Sequence, residues 1–224
     1  MTRIAIIVTS HDKKGSTGAA TGAYVAEISH PYEAFVKAGH EVEFISPKGG
    51  HVPLDGVDRS DPANVRFLDD AELMLRLHQS IPSKSADASR YGAVFFAGGH
   101  GTMWDFKDDA PLSALAGMVY DAGGVVGAVC HGPAGLVNVK LASGRYLVDG
   151  KRVSAFTNDE ERAVELDKVV PFLLADALTA HGATHVPAAN WAKQVITDER
   201  LVTGQNPASA GGVGEAMVAL LGNA

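Results

Sequence analysis

The chain of 224 residues contains a single cysteine, Cys130. One cysteine closes no internal disulfide, so the sequence reads as a protein of a reducing, cytoplasmic setting. A basic excess is missing too. Lys and Arg number 19 against 26 Asp and Glu, a formal charge of −7, and the basic residues are dispersed; this excludes a general nucleic-acid binder. No stretch approaches the ~18 uninterrupted apolar residues of a membrane span. The apolar opening Ile4–Val8 is too short for a secretory signal and reads as a strand. Internal repeats, low-complexity linkers, a Walker loop and the GxGxxG fingerprint are all lacking, so no motif implies a nucleotide or any other cofactor. What remains is an ordinary globular composition, 46% apolar and 20% charged, long enough for one large domain over residues 1–224.

Along the chain, strand signals alternate with helix signals. Ile4–Val8, Glu41–Ser46, Tyr91–Ala97, Val125–Val129 and Val153–Phe156 read as strands, with Gln194–Thr197 and Leu201–Thr203 as a hairpin across Asp198-Glu199. Tyr24–Ala38, Ala71–His78, Ser113–Ala122, Leu166–His181 and Ala208–Leu221 have helical spacing. The fourth of these is expected in two pieces because of Pro171. Ser10–Gly22 is a polar loop, and Pro47–Asn64 reads as an irregular excursion. The alternation predicts an α/β fold, a three-layer α/β/α sandwich around a mostly parallel, flavodoxin-like sheet. Ligand sites in such sheets lie at the carboxyl ends of the strands, where Ser10, Gly98-Gly99 and Cys130 fall.

Cys130 follows an apolar strand and precedes the small-residue run His131-Gly132-Pro133-Ala134-Gly135. A lone cysteine is often only a small core residue. A strand, a sharp turn at the thiol and a helix instead describe a nucleophile elbow, with the thiol facing solvent and the helix dipole favouring thiolate. Gly98-Gly99-His100-Gly101 is either an ordinary loop or one whose N–H groups hold an oxyanion together with the N–H of His131. Glu27 on the first helix is ordinarily a solvated side chain; facing the thiol it would be desolvated and keep its proton. Asp159-Glu160-Glu161 suits a helix N-terminus, and one of the three acids suits the orientation of His131; spacing does not choose which. His181 and His185 have metal-like spacing, but Gly182 breaks the helix between them and no further ligands are evident, so no metal site is assigned.

Four segments together resemble a known family: Thr21-Gly22-Ala23-Tyr24-Val25-Ala26-Glu27, Phe96-Ala97-Gly98-Gly99-His100-Gly101-Thr102-Met103-Trp104-Asp105, Ala128-Val129-Cys130-His131-Gly132-Pro133 and Thr203-Gly204-Gln205-Asn206-Pro207. They look like the ThiJ/PfpI superfamily, relatives of class I glutamine amidotransferases. The resemblance is strongest to its heat-shock chaperone-like branch with glutathione-independent glyoxalase III activity. It implies Cys130 as nucleophile, Glu27 as the acid touching it, His131 as the base or orienting residue and Glu161 as the third acid. Gly98, Gly99, His100 and Trp104 are implied in the oxyanion and substrate region. The implied substrate is a small 2-oxoaldehyde, methylglyoxal, converted to lactate without a cofactor, and the implied assembly is a homodimer. Protein deglycation or peptide cleavage would be side activities. A holdase or redox-sensing stress protein and a cysteine peptidase or amidase are the alternatives.

Overall fold

Side chains of the first strand, β1 (Arg3–Ile7), alternate between two cores: Ile4 and Ile6 join one apolar cluster, Ala5 and Ile7 the other. A strand buried on both faces requires a sheet covered on both sides. The computed structural model describes residues 1–222 and contains that sheet; the last two positions of the domain expected over residues 1–224 lie outside the described residues. The remaining strands are β2 (Glu41–Ser46), β3 (Ile81–Pro82), β4 (Ala93–Phe96), β5 (Val125–Val129), β6 (Val195–Asp198) and β7 (Leu201–Gly204). Their order is β6-β7-β5-β4-β1-β2-β3. Every pair is parallel except the β6–β7 hairpin. Ile7, Phe96, Ala128 and Thr203 share one row of the register. The chain therefore leaves β1, β4, β5 and β7 at the same edge, which collects Ser10, Gly98, Cys130 and Gln205.

Among the described residues, eight α-helices follow in chain order: α1 (Val25–Lys37), α2 (Pro62–Asp69), α3 (Ala71–His78), α4 (Thr102–Asp105), α5 (Ala110–Asp121), α6 (Asn158–Ala163), α7 (Leu174–Ala180) and α8 (Ala210–Leu221). Phe35 of α1, Phe67 of α2, Leu73 and Leu77 of α3 and Met217 of α8 pack on the face of Ile4 and Ile6. Leu112, Leu115 and Val119 of α5, with Leu174 and Leu178 of α7, cover the opposite face. The fold is thus the expected three-layer α/β arrangement. Among the described residues no helix is long and apolar enough to cross a membrane.

Three segments depart from the sequence reading. The irregular excursion over Pro47–Asn64 ends inside α2, where the Asp61 carboxylate accepts the Ala63 N–H at 2.8 Å and Pro62 suits the first turn. The helix expected over Leu166–His181 shrinks to α7, because Pro171 offers no N–H and disfavours helical geometry at Val170; the leading half is turns. In place of a strand over Val153–Phe156, only Arg152–Val153 pairs, with Thr184–His185. Beyond it the Ser154 N–H donates to Thr203 Oγ1 at 2.8 Å and the Phe156 N–H to the Cys130 carbonyl at 2.9 Å. Both bonds draw the chain out of the strand and toward the end of β5.

Candidate active site

β5 ends at Val129 and the chain turns at Cys130, whose φ of 59° lies in the left-handed region. A side chain there costs about 1–3 kcal/mol and persists only where its surroundings enforce it. They do so here: the Cys130 N–H donates to the Gly204 carbonyl at 2.9 Å, and its own carbonyl accepts from Phe156. The turn is tight enough that a Cβ on Gly132 would strike the Phe96 carbonyl. Two expectations change. The following helix is a five-residue 3₁₀ turn, Gly132–Leu136, too short to offer a substantial dipole. The thiol does not face open solvent, since Cys130 is only 4% exposed.

Glu27 sits in the first turn of α1, on the same buried side as Ile28, Pro31 and Phe35, and is fully buried. Burial pushes its carboxyl up to about 8, against the pull of the Cys130 thiol and the Gly98 N–H beside it. Neither carboxyl oxygen makes a hydrogen bond of regular geometry, so burial prevails and the group is neutral at pH 7. The thiol is pushed up as well, by burial first and then by the charge of Glu27 and the hydrogen bond between them; the His131 N–H opposes. The contributions from Glu27 require it to be ionised. Once the carboxyl holds the proton, its O–H becomes a donor to sulfur.

Gly98 lies between these two groups. A Cβ there would collide with Glu27 Oε2 and come within 3.0 Å of Cys130 Cβ. Gly98→Ala is expected to lower stability by about 1–3 kcal/mol through overpacking and to reduce thiol reactivity, read from a thermal melt and the rate of Cys130 alkylation. Gly99, at φ 101°, is pressed against the Gly22 carbonyl and the Tyr24 N–H. Among the described residues, the N–H groups of Gly99 and His131 donate to no backbone carbonyl. An oxyanion pair of the kind expected from the sequence requires N–H groups left free in this way.

His131 is fully buried, with Nδ1 3.3 Å from Cys130 Sγ and Nε2 2.8 Å from Glu161 Oε2. A carboxylate only accepts, which places the ring proton on Nε2 and leaves the Nδ1 lone pair toward the thiol. Burial and the neighbouring His100 lower His131 to about 4, against the pull of Glu161. Burial alone would raise Glu161, but hydrogen bonds from His100 and His131 outweigh it and hold the carboxylate at about 2. Thr102 Oγ1 donates to the His131 carbonyl at 3.0 Å and fixes the backbone.

The three acids separate by role. Asp159 pairs with Arg162 at the surface, Glu160 closes a capping box with Thr157, and Glu161 holds His131. The His100 side chain, expected only as part of the oxyanion loop, donates from Nε2 to Glu161 Oε1 at 2.9 Å, its ring 4.0 Å from that of His131. Sequence spacing held no signal for that contact, nor for Phe156, whose ring lies 4.2 Å from the His131 ring. Trp104 stacks on His11 in the loop after β1, a Cβ on Gly15 would press against it, and it also packs against the core cluster that includes Phe106. His100, His131 and Glu161 place ligand-type atoms within 4.8 Å of one another, the one such trio among the described residues. His181 instead stacks on Tyr146.

A family model described as DJ-1/PfpI family matches residues 19–219. The chain is 35% identical to a Saccharomyces cerevisiae protein named glutathione-independent glyoxalase HSP31, over 93% of each. Its structure is similar to that of the Francisella tularensis Rapid Encystment Protein 24 kDa, with TM-score 0.95, 37% identity and 99% of both chains covered. It is also similar to the crystal structure of glyoxalase III from Candida albicans, with TM-score 0.91, 30% identity, and 98% of this chain and 97% of that one covered.

Proposed function

The chain belongs to the DJ-1/PfpI family, and from that premise we propose that it is a glutathione-independent glyoxalase converting methylglyoxal to lactate. The observation that carries this reading is a single thiol flanked by a neutral buried acid, Glu27, and a neutral imidazole, His131. An internal redox reaction of this kind needs a nucleophile and groups that move protons between adjacent carbons.

In this reading, the Cys130 sulfur adds to the aldehyde carbon as His131 Nδ1 takes the thiol proton. The product is a hemithioacetal whose oxygen the Gly99 and His131 N–H groups hold. A proton leaves the former aldehyde carbon to give an enediol, and a proton is delivered to the neighbouring carbon, with Glu27 and His131 as the two carriers. The resulting thioester is hydrolysed by water, which releases lactate and restores the thiol. The aldehyde carbon is oxidised, the ketone carbon reduced, and one water is consumed. Glu161 keeps the imidazole in the tautomer this sequence needs.

The near-complete burial of Cys130 supports a three-carbon substrate over a peptide, which needs an open cleft. Incubating the purified protein with methylglyoxal in the absence of glutathione is expected to produce lactate; no lactate above buffer ends the proposal. Glu161→Ala is expected to lower the rate by about 10²–10⁴, the range for loss of acid–base support. Glu161→Gln should recover part of that loss only if orientation outweighs charge, which steady-state kinetics at pH 7 decides.

A further inference from the structure

Glu160 is fully buried, yet a capping box uses only one of its oxygens: Oε2 accepts the Thr157 N–H at 3.0 Å. Oε1 accepts three more bonds, from the Trp191 N–H at 2.8 Å, Gln205 Nε2 at 3.1 Å and Asn206 Nδ2 at 2.9 Å. All four partners are N–H donors, the set that suits a carboxylate. Three of them have nothing to do with starting α6. Gln205 and Asn206 follow β7, whose Gly204 carbonyl holds the Cys130 N–H. The same two side chains grip the segment before β6: Gln205 Oε1 accepts the Ala188 N–H at 2.7 Å, and Asn206 Nδ2 also donates to the Ala192 carbonyl at 2.9 Å.

The segment held this way carries Trp191, which is 49% exposed and has φ 64°. A bulky aromatic residue in the left-handed region is a backbone outlier and must be held there. Its ring lies 5.8 Å from that of Phe156, and Phe156 lies 4.2 Å from His131. Glu160 therefore stands at the junction of the Cys130 turn, the helix that carries Glu161 and the strained Trp191 segment.

We propose that Glu160 is a positioning residue: it holds Trp191 against Phe156, and the two rings form an aromatic cover that keeps water from the His131–Cys130 pair. The inference rests on reading Cys130, His131 and Glu161 as the reacting set, and is independent of methylglyoxal as the substrate. An exposed tryptophan in a costly conformation is explained by the cover, as is a buried carboxylate with more donors than a helix cap requires. Burial is the largest influence raising the thiol, so admitting water favours the thiolate and opens a path to it.

The test uses the full chain, in which iodoacetamide reports on Cys130 alone. Glu160→Gln turns an acceptor into a group that presents an N–H₂ to N–H donors. It is expected to speed alkylation at pH 7 about fivefold and, in a Trp104→Phe background, to red-shift the emission of Trp191. Trp191→Ala is expected to speed alkylation similarly, and Trp191→Phe, which keeps a ring over Phe156, to stay near wild type. If Glu160 acts through Trp191, Glu160→Gln adds little in the Trp191→Ala background. Additive effects would show that the carboxylate acts by charge alone and overturn the proposal. An unchanged alkylation rate in Trp191→Ala overturns it as well, even where Glu160→Gln fails to fold. Absence of lactate with this alkylation pattern intact would refute only the substrate.

Discussion

Cys130→Ala is expected to bring lactate formation from methylglyoxal down to the rate in buffer, a loss on the order of 10⁴ or more, because the proposed covalent path disappears with the sulfur. The substitution removes one atom from a position whose backbone is held from both sides, by Gly204 and Phe156. Circular dichroism is therefore expected to overlay that of the wild type. Cys130→Ser separates nucleophilicity from shape. It keeps the polar atom beside Glu27 and His131 but replaces a thiol with a hydroxyl that ionises far less readily, and it is expected to be nearly as inactive as the alanine variant. With only one cysteine in the chain, a methylglyoxal adduct trapped in the wild type and missing from both variants, read by intact-protein mass spectrometry, assigns the bond to one atom. Lactate formation by Cys130→Ala at even a tenth of the wild-type rate would refute a covalent mechanism.

The parts of the site that were legible from sequence are those carried by local pattern. A β-branched run ending at Cys130 and a glycine cluster after Phe96 mark strand ends, and a parallel sheet brings strand ends to one edge whatever the sequence distance between them. That is why Gly98, Gly99 and Cys130 fall together. The environment of the thiol was not legible in the same way. Exposure depends on what covers the turn, and the cover comes from residues remote in sequence, Glu27 on α1 and Phe156 with His131 beneath it. The expected exposed thiol beside a strong helix dipole is in fact buried beside a short 3₁₀ turn. The three consecutive acids show the same limit: composition cannot separate a surface partner of Arg162, a buried hub and the partner of His131, since the difference lies only in which way each side chain leaves α6.

Glu27→Gln is expected to lower the rate by about 10²–10⁴ while making the protein more stable at neutral pH. The amide keeps the volume of the carboxyl and an N–H beside the sulfur, but it neither releases nor recovers a proton. The stability change follows from the sign of the shift. The folded-state value, about 8, lies above the ordinary 4.5, so the folded state holds this proton more tightly than the unfolded chain. Its stabilising contribution is complete below about 4.5 and is lost as pH rises through 8. By pH 7 most of that loss has occurred, up to about 3 kcal/mol, and glutamine escapes it. Thermal melts of the two proteins should therefore diverge as pH is raised from 5 to 8, with the variant higher. Catalysis carries the same signature. The proposed mechanism needs Glu27 protonated and His131 neutral, and His131 lies near 4. Its rate should hold between about 4 and 8 and fall on either side, whereas the residual rate of Glu27→Gln should lose the alkaline fall. An alkaline limb that persists unchanged in the variant would mean that the titrating group is the thiol and that Glu27 carries no proton in the reaction.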